Sequence, residues 1–398
     1  MARLNENYLS LKESYLFSDI AKRVSAFAAA NPGKKIIRLG IGDVTLPLPP
    51  AVIAALHEGV EEMGKAETFK GYGPEQGYEF LRQAIADYYA RRGVRLALDE
   101  IFVGAGAKSD IGNVTDLFAL DNVVLVPDPV YPVYVDTNLM DGRRILYMKG
   151  SMENGFLPLP EPSMEADVVY LCSPNNPTGS VYDRAGLEAW VRWALGRDAV
   201  IVFDAAYEAY ISAPALPRSI YEIPGAERCA IEFCSLSKTA GFTGARCGYT
   251  IVPKALVRKG AGGREIVPNK LWLRRQTTKF NGVSYITQRG AAAVFSEEGQ
   301  RQVREMVGYY MGNAKIMADA LRAKGFEFVG GVNSPYIWHR CPRGMGSWEY
   351  FDHLLGEAAI VGTPGAGFGS GGEGFFRLTA FGKREATIEA MERISKLS

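Results

Sequence analysis

Histidine is scarce in this chain. His57, His339 and His353 are the only three in 398 residues, too scattered to outline a zinc motif. Cysteine is sparse as well. The five thiols (Cys172, Cys229, Cys234, Cys247 and Cys341) form no CxxC pair, and three stand in apolar, strand-like runs. An odd number of thiols so placed argues against a disulfide framework and fits reduced, buried side chains in a cytoplasmic protein. Net charge is nearly absent, at +1, which points to neither nucleic acid nor an acidic membrane surface as a partner. No apolar run reaches membrane-spanning length. Met1 to Ser18 carries charges and no apolar core segment, so a signal peptide is not expected there. Internal repeats and low-complexity tails are absent too. The remaining composition, 47% apolar and 22% charged, is that of a globular protein large enough for two domains.

Helical spacing runs from Tyr15 to Ala30, with Ile20, Val24 and Phe27 on one face, and stops at Asn31-Pro32-Gly33. Ile36 to Leu39 reads as a short strand, Ala51 to Lys65 as a helix, and Tyr78 to Arg92 as another. Between these helices lies Gly71-Tyr72-Gly73-Pro74-Glu75-Gln76-Gly77, too rich in glycine to be other than a loop. Continuous apolar runs follow at Ile101–Val103, Asn122–Val126, Asp167–Cys172, Ala199–Phe203, Ala230–Phe233 and Cys247–Val252. Runs that do not alternate suit strands buried on both faces, and helical segments between them indicate an α/β fold with a mostly parallel sheet. Tyr285 to Ala323 is helical with a break near Ser296. After it, short strands (Phe326–Val329, Tyr336–His339, Phe375–Leu378), a helix at Ser347–Leu355 and the glycine-rich Gly362–Gly374 suggest a smaller α+β domain.

In a parallel sheet, ligands gather at the carboxyl ends of the strands, and that is where the chemistry-bearing residues fall. Ser235 and Ser237 precede Lys238 at the end of one run, and Arg246 lies eight positions beyond the lysine. Hydroxyls and a guanidinium make a phosphate cradle, and a lysine beside it can form a Schiff base with an aldehyde. Read alone, the stretch could equally be a polar surface loop. Asp204 ends another run, where a carboxylate can pair with a protonated pyridine nitrogen or simply cap a helix. Gly106-Ala107-Lys108-Ser109 would open a helix with free backbone N–H groups, which suits phosphate as well as an ordinary turn. The turn Ser173-Pro174-Asn175-Asn176-Pro177-Thr178-Gly179 could hold an Asn amide against a ligand, and Tyr131 between two prolines offers a face for stacking. Arg377 stands in an apolar strand, where burial calls for a partner such as a substrate carboxylate or a structural acid.

The order of these features, with SPNNPTG, a strand-end aspartate, SLSK, an arginine eight later and a late strand arginine, resembles the type I aminotransferases that use pyridoxal 5′-phosphate. The resemblance covers essentially the whole chain. Leu39 to Asp43 (LGIGD), Gly71 to Gly77 (GYGPEQG), Thr277 to Tyr285 (TTKFNGVSY), Gly374 to Gly382 (GFFRLTAFG), Tyr15-Leu16-Phe17 and Gly344 to Trp348 narrow it to the L,L-diaminopimelate aminotransferase family. Val44 and Leu46 depart from that pattern, which usually has a second threonine and an acidic or amide residue in this segment.

The resemblance implies the type I fold: a large cofactor-binding domain over 45–290 with a seven-stranded sheet, and a small domain built from 1–44 and 291–398. It implies transamination between L,L-2,6-diaminopimelate and 2-oxoglutarate in a cytoplasmic homodimer whose sites are shared across the interface. Lys238 would carry the cofactor and shuttle the proton, Asp204 would hold the pyridinium, and Asn176 and Tyr207 would meet its phenolic oxygen. Tyr131 would stack on the ring. Ser235, Ser237, Arg246 and the backbone at Ala107 and Lys108 would hold the phosphate, joined by Tyr72 of the other subunit. Arg377 would bind the substrate α-carboxylate, with the Gly42 backbone and Asn176 nearby. Tyr15, Lys108, Glu75 and Asn281 would shape the distal end, the last two from across the dimer. The competing expectations are a general aspartate, alanine or aromatic aminotransferase, and a cofactor-binding regulator without turnover.

Overall fold

The computed structural model describes residues 2–11, 16–40 and 42–397. Seven strands make the main sheet: β1 (Ile101–Gly104), β2 (Val123–Asp128), β3 (Arg144–Lys149), β4 (Val168–Cys172), β5 (Val200–Asp204), β6 (Ala230–Ser235) and β7 (Gly248–Ile251). Their order across the sheet is β1-β7-β6-β5-β4-β2-β3, and β7 alone runs antiparallel to its neighbours. Strands β4, β5 and β6 are buried along their whole length, as continuous Val/Ile/Phe runs require when both faces are covered. Apolar clusters cover the two faces: one includes Ile201, Leu171 and Trp190, the other Val202, Tyr170 and Trp272. Alternation of side chains along a strand sends neighbours to opposite faces, which is why Ile201 and Val202 part company.

The edge strand β3 is one that the apolar runs do not disclose. It begins with Arg144, ends with Lys149 and leaves Tyr147 exposed, so as an edge strand with one wet face it lacks the signature of its buried neighbours.

A second, four-stranded antiparallel sheet is formed by Phe328–Gly330, Tyr336–Arg340, Phe375–Thr379 and Thr363–Pro364. The chain's beginning joins its end here. Ile37–Arg38 pairs in parallel with Ile360–Val361, and Leu16, Ile20 and Val24 share an apolar cluster with Trp338, Phe376 and Ile394. The expected break near Ser296 is a helix cap: Ser296 Oγ accepts from Gly299 N at 3.0 Å and separates helix Tyr285–Val294 from helix Glu297–Ala323. That second helix touches all three clusters, giving Val303 to the first, Tyr310 to the second and Met317, Ala318 and Leu321 to the third.

Val44 and Leu46, the departures from the family pattern, pack against the cluster that contains Tyr310. The Tyr310 hydroxyl accepts from Thr45 N at 2.8 Å and from Leu46 N at 2.7 Å, so this segment is held by its backbone while its side chains fill apolar space.

Candidate active site

Strands β4, β5 and β6 end side by side, with Cys172 opposite Asp204 and Asp204 opposite Phe233. The turn after β4, the aspartate ending β5 and the Ser235–Lys238 segment after β6 therefore open on one space. It is a cavity of about 310 Å³ lined by Lys238, Asp204, Tyr207, Asn176, Ser235 and Ser237. Arg246, Tyr131, Ala107 and Lys108 line it from the loops and the helix start beside the same sheet, Arg377 closes it from the smaller sheet, and Gly42 closes it from the loop after Ile37–Arg38. Residues far apart in sequence thus meet as expected.

Lys238 lies in a single helical turn, Leu236–Thr239, capped by Ser235, whose side chain accepts from Ser237 N at 3.1 Å. Burial pushes its ammonium down to about 8; Asp43 opposes that shift, and Arg246 and Arg377 add to it. Such an amine is partly neutral at physiological pH, which a nucleophile or base requires.

Asp204 is buried, and its donors are uncharged: Tyr134 Oη at 2.6 Å and Ala206 N at 3.0 Å. Burial raises its pKa, against the pull of those two hydrogen bonds. A protonated ring nitrogen would restore the charge balance that burial upsets. Its bond to Ala206 N closes a turn and is not the helix cap that the sequence allowed, since the next helical turn, Glu208–Tyr210, starts from Tyr207.

Arg246 donates to Ser237 Oγ at 3.1 Å and reaches the cavity from a left-handed backbone position, φ +60°. Gly106, at φ +121°, faces it so closely that a Cβ there would lie 2.7 Å from Arg246 Nη2. The guanidinium, the two serines and the start of the Ala107–Asn113 helix converge on one end of the cavity, a donor set that fits a phosphate. Together with the amine, the isolated carboxylate and the Tyr131 ring, these residues fit pyridoxal phosphate.

Arg377 is 1% exposed and donates to Asn176 Oδ1 at 2.6 Å, Gly40 O at 2.7 Å and Thr363 Oγ1 at 3.3 Å. These oxygens are uncharged, so a ligand carboxylate suits the guanidinium.

Tyr72, Glu75 and Asn281 do not line this cavity, and Tyr15 lies outside the described residues. Tyr72 is 94% exposed, Glu75 is half-buried and Asn281 is exposed. Their two loops are nevertheless fastened together. Buried Gln288 accepts from Tyr78 N at 2.8 Å and donates to Val283 O at 2.7 Å.

The cavity also contains Tyr134, Ala206 and Tyr336, which the sequence did not single out, and Phe17, which stood in a quoted motif without a role. Tyr134 follows Tyr131 by one helical turn, a spacing that could have suggested it.

The model of the family described as aminotransferase class I and II matches residues 34–394. The chain belongs to that aminotransferase family. The LL-diaminopimelate aminotransferases of two Bacteroides fragilis strains are each 56% identical to it over 407 residues, covering 99% of both chains. Among solved structures, the L,L-diaminopimelate aminotransferase from Chlamydomonas reinhardtii superposes with a TM-score of 0.92 at 43% identity, covering 99% of this chain and 98% of that one. A single mutant of Thermus thermophilus aspartate aminotransferase superposes at 0.86 but is 21% identical, with all of both chains covered, a likeness of fold alone. As a class I and II aminotransferase, this protein uses pyridoxal phosphate and takes amino-acid and 2-oxo-acid substrates.

Proposed function

We infer that this aminotransferase moves an amino group between L,L-2,6-diaminopimelate and 2-oxoglutarate, giving tetrahydrodipicolinate and L-glutamate, and serves lysine and cell-wall synthesis in the reverse direction. The observation that carries the reading is the meeting of Lys238, Asp204 and Arg377 in one cavity of a chain similar throughout to L,L-diaminopimelate aminotransferases.

Bound pyridoxal phosphate supplies an electron-withdrawing ring that stabilises negative charge at the substrate Cα. The residues' own tasks follow from their surroundings. Arg246, Ser235, Ser237 and the Ala107–Lys108 backbone hold the phosphate. Asp204, positioned by Tyr134, would keep a proton on the ring nitrogen, while Asn176 and Tyr207 would donate to the phenolic oxygen and Tyr131 would offer its face to the ring. Arg377 fixes the α-carboxylate, with Asn176 and the Gly42 backbone beside it, and so sets which Cα–H faces Lys238. Lys238 Nζ, with its depressed pKa, would bind the cofactor and would take and return the Cα proton.

The distal end of diaminopimelate carries both an ammonium and a carboxylate. Glu75 suits the first, and Lys108, Asn281 and Tyr15 suit the second. Glu75 and Asn281 are away from the chain's own cavity, so this assignment goes with a homodimer in which each protomer lends them, and Tyr72, to its partner's site. The exposed Tyr72 and Phe69, in and beside the first of these loops, support such an interface. The domain division proposed is 45–290 against 1–44 with 291–398. It is supported at its first boundary, where Leu39 packs with the smaller sheet and Val44 with the larger. No helix among the described residues is long and apolar enough to cross a membrane, and the five buried free thiols support a cytoplasmic location.

The test is purified protein with cofactor, 2-oxoglutarate and each diaminopimelate stereoisomer in turn, scored for glutamate. Glutamate from the L,L isomer is expected. Equal or faster formation from aspartate, alanine or an aromatic amino acid would refute the assignment.

A further inference from the structure

Tyr336 touches three groups assigned to the site. It is 1% exposed and lines the cavity. Its hydroxyl lies 2.6 Å from Tyr207 Oη. Its ring faces Arg377, whose guanidinium carbon is 4.7 Å from the ring centroid. A Cβ at Gly42 would come within 2.7 Å of Tyr336 Oη, so a side chain there would displace the hydroxyl. The ring is held edge-on to those of Tyr207 at 5.0 Å and Phe381 at 6.1 Å, and its strand pairs with the one that bears Arg377.

We propose that Tyr336 is a positioning residue that couples the carboxylate-binding Arg377 to the hydroxyl of Tyr207. The proposal rests on the cofactor reading of the cavity. Between two hydroxyls in hydrogen-bond contact only one proton can lie. For Tyr207 to donate to the phenolic oxygen, Tyr336 must donate to Tyr207. Burial raises the Tyr336 pKa and the Arg377 charge over its ring opposes that, so the hydroxyl is a better donor with the charge than without it, and a chain of hydrogen bonds passes the effect on. When a substrate carboxylate neutralises Arg377, both donors weaken and the phenolic oxygen becomes more basic. Arrival of the α-carboxylate thereby changes the proton affinity of the cofactor. The charged and titratable groups facing Tyr336 are Arg377, Tyr207, Cys172 and Asp204, with Tyr210 behind it.

Tyr336→Phe keeps the ring against Arg377 and removes only the hydroxyl. In the cofactor-loaded protein, the pH midpoint of the cofactor absorbance should rise by about half a unit, because a donor to the anionic oxygen has been weakened. A non-reacting dicarboxylate should shift that midpoint less in the variant than in the wild type. Gly42→Ala, which pushes the hydroxyl aside, should raise the midpoint as well. In the Tyr336→Phe background the alanine meets nothing closer than Cζ at 3.7 Å, so it should add little. A wild-type midpoint and dicarboxylate response in Tyr336→Phe, or additive shifts in the double variant, would overturn the proposal alone. A wild-type protein with no cofactor absorbance would overturn it together with the cofactor reading.

Discussion

Replacing Arg377 by lysine tests the carboxylate anchor with little change of volume. The native guanidinium spreads its donors over Asn176 Oδ1, Gly40 O and Thr363 Oγ1 while lying between the rings of Tyr336, at 4.7 Å, and Phe368, at 4.9 Å. An ammonium keeps the charge but has no planar fork, so it cannot satisfy those oxygens and grip a carboxylate in two places at once. The lost charge-assisted hydrogen bond is worth roughly 1.5–3 kcal/mol, about ten- to a hundred-fold in kcat/KM. Both substrates carry an α-carboxylate, so both half-reactions should fall by a similar factor. They can be followed separately by the cofactor absorbance in single-turnover mixing with diaminopimelate or glutamate, with a melting curve as a control on folding. A folded variant that loses less than about threefold, or that loses activity in one half-reaction only, would refute the assignment of Arg377 to the shared carboxylate.

Glu75→Gln should behave in the opposite way, lowering kcat/KM for L,L-diaminopimelate by about ten- to a hundred-fold while the glutamate half-reaction changes much less, because glutamate has no distal ammonium. Equal losses would mean that Glu75 acts elsewhere. Borohydride reduction followed by digestion should place the cofactor on Lys238, and Lys238→Ala should bind it without a covalent link and lose transamination; label on another lysine would sink that role. Capture of cofactor by the apoprotein requires the neutral amine. Its rate should therefore rise about tenfold per unit of pH below the Lys238 pKa of about 8 and level off above it, whereas a rise continuing toward 10.5 would contradict the buried environment. Mixing Lys238→Ala with Tyr72→Ala should restore part of the activity, since one site of each mixed dimer keeps both residues; no recovery, with mixed dimers shown to form, would count against shared sites.

The cofactor side of the cavity was legible because its residues break local patterns. Lys238 and its serines end an apolar run, Asn176 stands in a turn fixed by prolines, and a charged Arg377 in an apolar run asks for an explanation. Tyr336 and Tyr134 break nothing. An aromatic residue at the start of an apolar strand or in the first turn of a helix reads as core, and only the fold reveals that its hydroxyl points at Tyr207 or Asp204. Strand β3 was hidden for a related reason, since its exposed positions dilute the apolar signal. Tyr72, Glu75 and Asn281 could be named from the family resemblance, but they do not line the cavity that the chain encloses.

The helix Glu297–Ala323 has a mechanical consequence. Its 27 residues span about 40 Å at the α-helical rise, and its side chains are embedded in all three apolar clusters. A rod anchored in this way ties the sheet whose strand leads to Lys238 to the sheet that bears Arg377. Tyr310, halfway along it, grips the backbone at Thr45 and Leu46. The segment leading from Gly42, which lines the cavity with Phe17 and Arg377, is thus fastened to the middle of this rod.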